Sequence, residues 1–573
     1  MSLPPVDVEA VDVDVAIIGS GGAGLMAALH AAAAAPGIRL AILSKGIVGR
    51  SGCSIMAQGY NAALGPDDDP ERHFADVVRA GGFLNDQELA WALASDAPGV
   101  VRELESGVGC LFDRRADGSL DLAPFPGQSR DRKVHRGHLT GVEIIGRLRD
   151  ALFRIAPREL VDVRALELLR DDAGETAGVL ALDIRRGIPV AVRAGAVVVA
   201  AGGGTASLYP VATASHEKSG DGLALCYRAG LELRDMEFVQ FLSVGLAAGR
   251  SIVTGVLLEE GVRMAGAHLL DGSGERFMAR HDPARMERAP RDDVVRACYT
   301  EIHAGRGTPD RAVLLDARPV GRAELERRFA DIVARTRKAG RDLASELVPI
   351  APAAHIGIGG VVIDPDGGTS IPGLFVAGED AGGVHGASWQ GGNGIAESTV
   401  FGARAGARAA ESALGHPPGR PGAGQIADAV RRVYAPLGRP AGPRPLAIAR
   451  ELREVMWQEA GLVRDEPGLR SAATAIAALT ERADSIAVPG PPASNPSWQE
   501  ALDLRNQLLV AGIVVAAAGA RRETRGMHVR TDHPARDDVR WLRTVVVRGS
   551  PDGPVVETRP VVLSRLRPEA PAP

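Results

Sequence analysis

The sequence predicts an α/β fold with a parallel sheet, and three stretches carry that prediction. Val13 to Ile18, Ala196 to Ala200 and Leu374 to Ala377 are short apolar runs rich in β-branched residues, and each breaks at a glycine-rich turn. Helical patterns open from Leu25 after the first and from Ile395 after the third. Runs of this length, bounded by glycine and followed by helices, read as buried strands of βαβ units.

The first turn is the most informative. Gly19, Gly21 and Gly24 are spaced G-x-G-x-x-G, with Ser20, Gly22 and Ala23 between them. The first glycine permits a tight turn, the second lets the backbone approach a pyrophosphate, and the third lets helix pack on strand. Free N–H groups and the positive dipole end of the helix then favour an anion. The second strand, Arg39 to Leu43, ends in Ser44 and Lys45, where an acidic residue would hold a ribose hydroxyl. That acid is missing, so this motif alone does not specify the dinucleotide.

A chain of 573 residues predicts more than one domain. Its formal net charge of −5, with no long basic run, argues against nucleic acid or an anionic membrane surface as partner. The cysteines, Cys53, Cys110, Cys226 and Cys298, are far apart with no CxxC spacing. No iron–sulfur cluster, structural zinc or other metal site is therefore expected within the chain. The N-terminus MSLPPVDVEAVDVD lacks the basic-then-apolar plan of a signal peptide, and the run Leu508 to Ala518 is too short to span a bilayer. These features predict a cytosolic protein without a membrane span.

Along the chain, GRSGCSIMAQGYNAALG interleaves small residues with Gln58, Tyr60 and Asn61, as suits a loop against a flat ligand. Asp86 to Glu105 predicts a helix, and Arg114 to Arg136 an irregular polar segment. The second strand-to-glycine turn, Ala201 to Gly204, and the third, Gly378-Glu379, suggest a ligand cradled from several sides. The sheet is thus completed several hundred residues after it begins. This predicts a dinucleotide-binding domain in two parts, 1–234 and 352–415, with a domain inserted at 235–351. His416 to Gly424 reads as a linker. Helices at Leu446 to Ala460 and Gln507 to Ala520 mark a helical domain over 425–530, and 531–573 forms a C-terminal segment whose Val545 to Leu563 alternates like strands.

In order, the stretches GSGGAGL, RSGCSIMAQGYNAALG, LRDMEFVQF, LLEEGVRMAG, APRDDVVRA, APAAHIGIGGV and GLFVAGEDAGGVHGASWQGGNGIAESTVFGARAG resemble one family. It is that of the fumarate reductase and succinate dehydrogenase flavoproteins, with L-aspartate oxidase and adenylylsulfate reductase as relatives. The resemblance implies a Rossmann-like FAD-binding domain, an inserted α+β capping domain and a C-terminal helical domain. It implies FAD as cofactor, with Gly19 to Gly24 on the pyrophosphate and Ser44 and Lys45 near the adenosine. Ser51, Gly52, Gln58, Gly59, Ala201 and Gly202 would line the cradle, and Asp221 and Glu379 would contact polar parts of the cofactor. Asn393, Gly394 and Ile395 would open a helix aimed at the flavin pyrimidine ring, where its dipole stabilises negative charge on the reduced flavin. Gly52 stands where respiratory members carry a flavin-linked histidine, which implies non-covalent FAD.

By the same resemblance, Arg291 passes a proton to the substrate while flavin N5 passes a hydride, and Glu260 and Arg263 form the relay behind it. Arginine is a poor acid in water, so that role requires a desolvated site. His355 would bind a substrate carboxylate. Three anchors of the family pattern are replaced: Leu242 stands for a histidine, Trp389 for an arginine and Glu259 for a threonine. An anionic end placed there loses charge-assisted bonds worth ~2 to 5 kcal/mol in a buried site. The expected protein is an FAD-dependent oxidoreductase that adds or removes hydrogen across a C–C bond beside a carboxyl or similar group, in a small-molecule substrate other than succinate or fumarate. The alternatives are amine C–N oxidation in the manner of L-aspartate oxidase, adenylylsulfate reductase-like chemistry, and a non-catalytic electron-transfer subunit. The electron partner would be oxygen, a soluble carrier or a separate iron–sulfur subunit.

Overall fold

A computed structural model describes residues 7–568 apart from 126, 216, 250, 252, 259, 423 and 552, and leaves the side chain of residue 260 undescribed. Along the chain, β1 (Val15–Ile18) leads through α1 (Gly22–Ala34) to β2 (Leu40–Ser44), and β3 (Arg158–Val161) and β4 (Ala196–Val199) follow. Next come β5 (Val239–Leu246), β6 (His268–Leu270), α2 (Arg291–His303), β7 (Val313–Asp316) and β8 (Leu347–Gly357). The chain returns through β9 (Leu374–Val376) and α3 (Asn393–Gly415), and continues into α4 (Pro445–Glu459), α5 (Glu466–Asp484) and α6 (Pro496–Ala520).

The five-stranded sheet runs β9-β4-β1-β2-β3 and is parallel throughout. Every residue of β1, β2, β4 and β9 is buried, the pattern of strands covered on both faces. The early strands and β9 thus share one sheet although they lie far apart in sequence.

Close packing of α1 on α3 brings two helix N-termini together at the sheet's carboxyl edge. A Cβ on Gly402 would stand 2.4 Å from the Ala23 carbonyl oxygen, and one on Gly406 2.2 Å from that of Ala27. Glycine one helical turn apart lets the two backbones touch. At the turn before α1, Gly19 has φ +107°, and an added Cβ would lie 2.0 Å from the Ala200 carbonyl oxygen. Gly24 similarly meets the Gly19 carbonyl at 2.1 Å. The first and third glycines of the motif are therefore required by contact between elements.

The inserted segment builds an antiparallel sheet, β5-β8-β7-β6, against which α2 packs. The β5–β8 pairing shifts register so that Phe241 faces Ala354 and Gln240 faces Ile356, leaving His355 as the extra residue of a bulge. Such bulges re-aim a side chain.

Some local expectations are revised. The helix expected over Asp86 to Glu105 spans Gln87–Glu103, capped by the Asp86 side chain, and ends in a π-turn. The helix read from Gln507 is far longer, because Asn495 caps it and Pro496 opens its first turn. By length and composition α6 could cross a membrane, which the run Leu508 to Ala518 alone does not suggest, and 72% of its apolar window is buried inside the fold.

Candidate active site

The residues expected at the adenosine end meet in a buried ionic cluster. Lys45 Nζ lies 2.6 Å from Asp221 Oδ2 and donates to Ser219 Oγ at 3.0 Å. Asp221 Oδ1 accepts from Arg164 and from Asn506, both at 2.6 Å. Burial opposes the Asp221 charge, but Arg164 and Lys45 outweigh it and hold its carboxyl well below the usual range. Ser44 pairs with Ser20 through their hydroxyls at 3.1 Å. Ser54, which sequence reasoning did not single out, accepts the Gly22 N–H at the start of α1 at 3.2 Å.

The middle of the cradle is formed by the turn after β4 and the end of β9. Asp380 accepts from the backbone N–H groups of Gly202 at 2.8 Å and Gly203 at 3.0 Å. Burial raises the Asp380 carboxyl to about 6, against those two donors. Glu379 accepts from Gly357 N–H at 3.1 Å and from the Lys218 ammonium. Gly52 has φ +83° with open space where a side chain would project, whereas Gly59 makes room for the Lys133 chain. The Gln58 carbonyl accepts from Thr140.

At the N-terminus of α3, Asn393 Oδ1 accepts from Asn61 at 2.7 Å and pairs with His73 Nε2 at 3.2 Å. Burial, with Arg132 nearby, lowers His73 to about 4, so it is neutral at pH 7. With its oxygen so committed, Asn393 Nδ2 is buried without an acceptor among the described residues, beside Gly394 and Ile395. Thr205 Oγ1 and Trp389 Nε1 are buried and lack a partner in the same sense. Two helix N-termini, glycine turns that admit no Cβ and orphaned donors along one cradle suit a dinucleotide that carries both phosphate and a heteroaromatic ring.

The residues expected at the substrate come together where the inserted segment meets the end of β8 and the stretch before α3. Arg291 opens α2 with its guanidinium 5.9 Å from the centre of the Trp389 ring. The His355 and Trp389 ring centres are 5.1 Å apart. His355 Nδ1 pairs with Thr213 Oγ1 at 2.6 Å. Burial first, then the charges of Lys218 and Arg291, lower His355 to about 3. Its imidazole is therefore neutral at pH 7, with Nδ1 paired to Thr213. Leu242 is buried on β5 opposite Ala353.

Trp389 is locked by groups that sequence reasoning missed. Its backbone N–H donates to Gln240 Oε1 at 3.0 Å, and Ser388 Oγ donates to Asp292 Oδ2 at 2.9 Å. The half-buried Asp292 carboxyl is pushed up by desolvation. Arg263 is buried and bonds the carbonyls of Glu287 and, at 3.0 Å, Ala289, in the turn leading to Arg291. Glu260 begins the short helix Glu260–Met264 that carries Arg263, and Glu259 lies outside the described residues.

A phosphate-binding turn, a flavin-compatible cradle and an arginine over it define an FAD-dependent oxidoreductase, and comparison with known proteins agrees. Residues 14–395 match the FAD binding domain family, and 449–572 match the fumarate reductase flavoprotein C-terminal family. The chain belongs to the fumarate reductase and succinate dehydrogenase flavoprotein family. It is 40% identical to a subunit of the CoM/CoB fumarate reductase of Methanothermobacter marburgensis, over 94% of this chain and 97% of that one. It is 38% identical to L-aspartate oxidase of Streptomyces coelicolor, over 95% and 92%. The FrdA chain of E. coli quinol fumarate reductase superposes with a TM-score of 0.91 at 30% identity, over 98% and 99%. Adenosine-5-phosphosulfate reductase shares the fold at 19% identity, with a TM-score of 0.77.

Proposed function

We propose that this flavoprotein adds or removes hydrogen across a C–C bond next to a carboxyl or similar group, in a substrate bulkier and less anionic than fumarate or succinate. The observation that carries this is the trio at the mouth of the cradle: Arg291 and His355 both border Trp389, with Leu242 on the neighbouring strand. One cation and one neutral imidazole can orient a single acidic or carbonyl group. The indole and the leucine favour an apolar remainder. Chemistry and specificity separate cleanly if the proton-handling arginine stays while the clamps for a second carboxylate are gone.

FAD, when bound, supplies hydride transfer. The protein's share is to hold the substrate and to move a proton. Arg291 Nη or Nε donates to, or takes from, the substrate carbon, and the turn fixed by Arg263 sets where that guanidinium stands. Residues Glu260 and Arg263 return the proton from solvent in this reading. His355 Nε2 donates to or accepts from the substrate's polar end according to its tautomer, with Thr213 bearing on the other nitrogen. Trp389 and Leu242 exclude water from the reacting carbons, which strengthens the charge of Arg291 on them.

Gly52 offers no side chain for a tether, which supports non-covalent FAD. Relatives named as subunits support an electron partner on a separate chain, with oxygen and a soluble carrier as the other acceptors, and we place the reaction in the cytosol. The reading is tested by the purified holoenzyme and its Arg291→Gln variant. Both should carry releasable FAD and accept electrons from dithionite, but only the parent should pass them to 2-enoates. A variant that turns over enoates at the parental rate removes the assigned proton donor. Turnover of amines with oxygen as sole acceptor would instead establish the L-aspartate oxidase-like reaction.

A further inference from the structure

Lys218 lies on the loop that joins the two ends of the cradle. Thr213, five residues before it, pairs with His355 on the substrate side. Asp221, three residues after it, anchors the adenosine-side cluster, and Ser219 accepts there from Lys45. Lys218 is therefore midway, and it is buried, with a side chain only 4% exposed. Its Cε stands 3.9 Å from where a Cβ on Gly202 would be, against the turn after β4.

Burying an ammonium needs a reason. Glu379 supplies one partner, and that carboxylate is itself fixed by the Gly357 N–H at 3.1 Å. Burial disfavours the Lys218 charge, yet Cys53, Glu379 and Asp380 around it keep its pKa above the ordinary value. An ammonium has three donors, and among the described residues only the Glu379 bond is found for it. The alternative donors of this stretch are already engaged. Gly202 and Gly203 give their N–H groups to Asp380, and Lys45 is committed to Asp221 and Ser219.

The geometry points to Lys218 as a cofactor-holding residue, whose ammonium, steadied by Glu379, donates to the pyrophosphate of FAD. This rests on the FAD cradle described above and adds to it a residue that the glycine motif does not contain. Its charge does for a non-covalent cofactor part of what a covalent link would do, by slowing release. The Glu379 bond takes one donor and sets the lysine's direction, so the remaining donors are pre-organised for an anion.

The test uses the full chain stripped of flavin, with FAD, ADP and riboflavin titrated separately by fluorescence. Lys218→Met should weaken FAD and ADP by about 30-fold, the loss of one charge-assisted bond, and leave riboflavin unchanged. Lys218→Arg should hold both phosphorylated probes within about threefold. Circular dichroism establishes that each variant is folded. An FAD affinity unchanged in folded Lys218→Met overturns the assignment, as does an equal loss for riboflavin, which would mark collapse of the cradle. Full recovery of FAD affinity in the double variant Lys218→Met with Glu379→Gln would also overturn it, since the lysine would then serve only to neutralise Glu379. A parent chain that takes up no FAD sinks the cofactor reading itself, a result distinct from any of these.

Discussion

The Trp389 indole stands 5.1 Å from the His355 imidazole and 5.9 Å from the Arg291 guanidinium, so one aromatic side chain borders both. Trp389→Arg together with Leu242→His should restore two polar anchors. Inhibition by a small dicarboxylate such as malonate should strengthen about 10- to 100-fold, from one or two charge-assisted bonds. Unchanged inhibition would mean that other residues exclude dicarboxylates.

Under the proposed function, Arg263 acts through Arg291. Its bonds to the Glu287 and Ala289 carbonyls fix the turn that aims α2. Arg263→Ala should lower kcat by about 10²-fold, as for a misplaced proton donor, and move KM little. The flavin spectrum should stay parental. A variant defective only in KM would place Arg263 in substrate binding instead.

Stability should depend on pH through His73. Its folded value of about 4 lies below the unfolded value near 6.5, so between those limits the unfolded chain binds more protons. Folding is then favoured as pH rises, by up to roughly 1.4 kcal/mol per unit from this group, and the contribution is lost as pH falls from 6.5 towards 4. Urea titrations of His73→Gln should show a shallower fall over that window than the parent. Parallel curves would mean that His73 is protonated in the folded chain.

The contact of α1 with α3 can be tested separately. Gly406→Val puts a Cβ against the Ala27 carbonyl, whose oxygen lies 2.2 Å from that position. A loss of about 1–3 kcal/mol or more is expected, read by thermal unfolding, together with a lower FAD content because both helix N-termini shift. Retained stability and flavin would show that the helices can separate without harm.

Much of this was legible in the sequence for a physical reason. The turns at Gly19, Gly202 and Gly378 are local, each following its strand within a few residues. The candidate site residues named by resemblance, Arg291, His355 and Trp389, were likewise carried by short motifs. What stayed hidden depends on partners far away in the chain. Lys218 gains its meaning from Glu379, 161 residues on, and Asp292 from Ser388, 96 residues on. The bulge that re-aims His355 arises from the register of β5 against β8, which neither strand shows alone. The full length of α6 was readable from Asn495 and Pro496 as a cap and first-turn pair, but the apolar run drew attention to its second half.

One stopped-flow comparison tests the central claim most directly. The holoenzyme, photoreduced without oxygen, is mixed in separate runs with fumarate and with a mono-acid enoate bearing an apolar end, such as cinnamate, and flavin reoxidation is followed by absorbance. The apolar enoate should reoxidise the flavin at least about tenfold faster than fumarate, the discrimination expected of one lost charge-assisted bond. Fumarate reoxidising it as fast or faster would contradict the reading of Trp389 and Leu242 as the determinants of a different substrate.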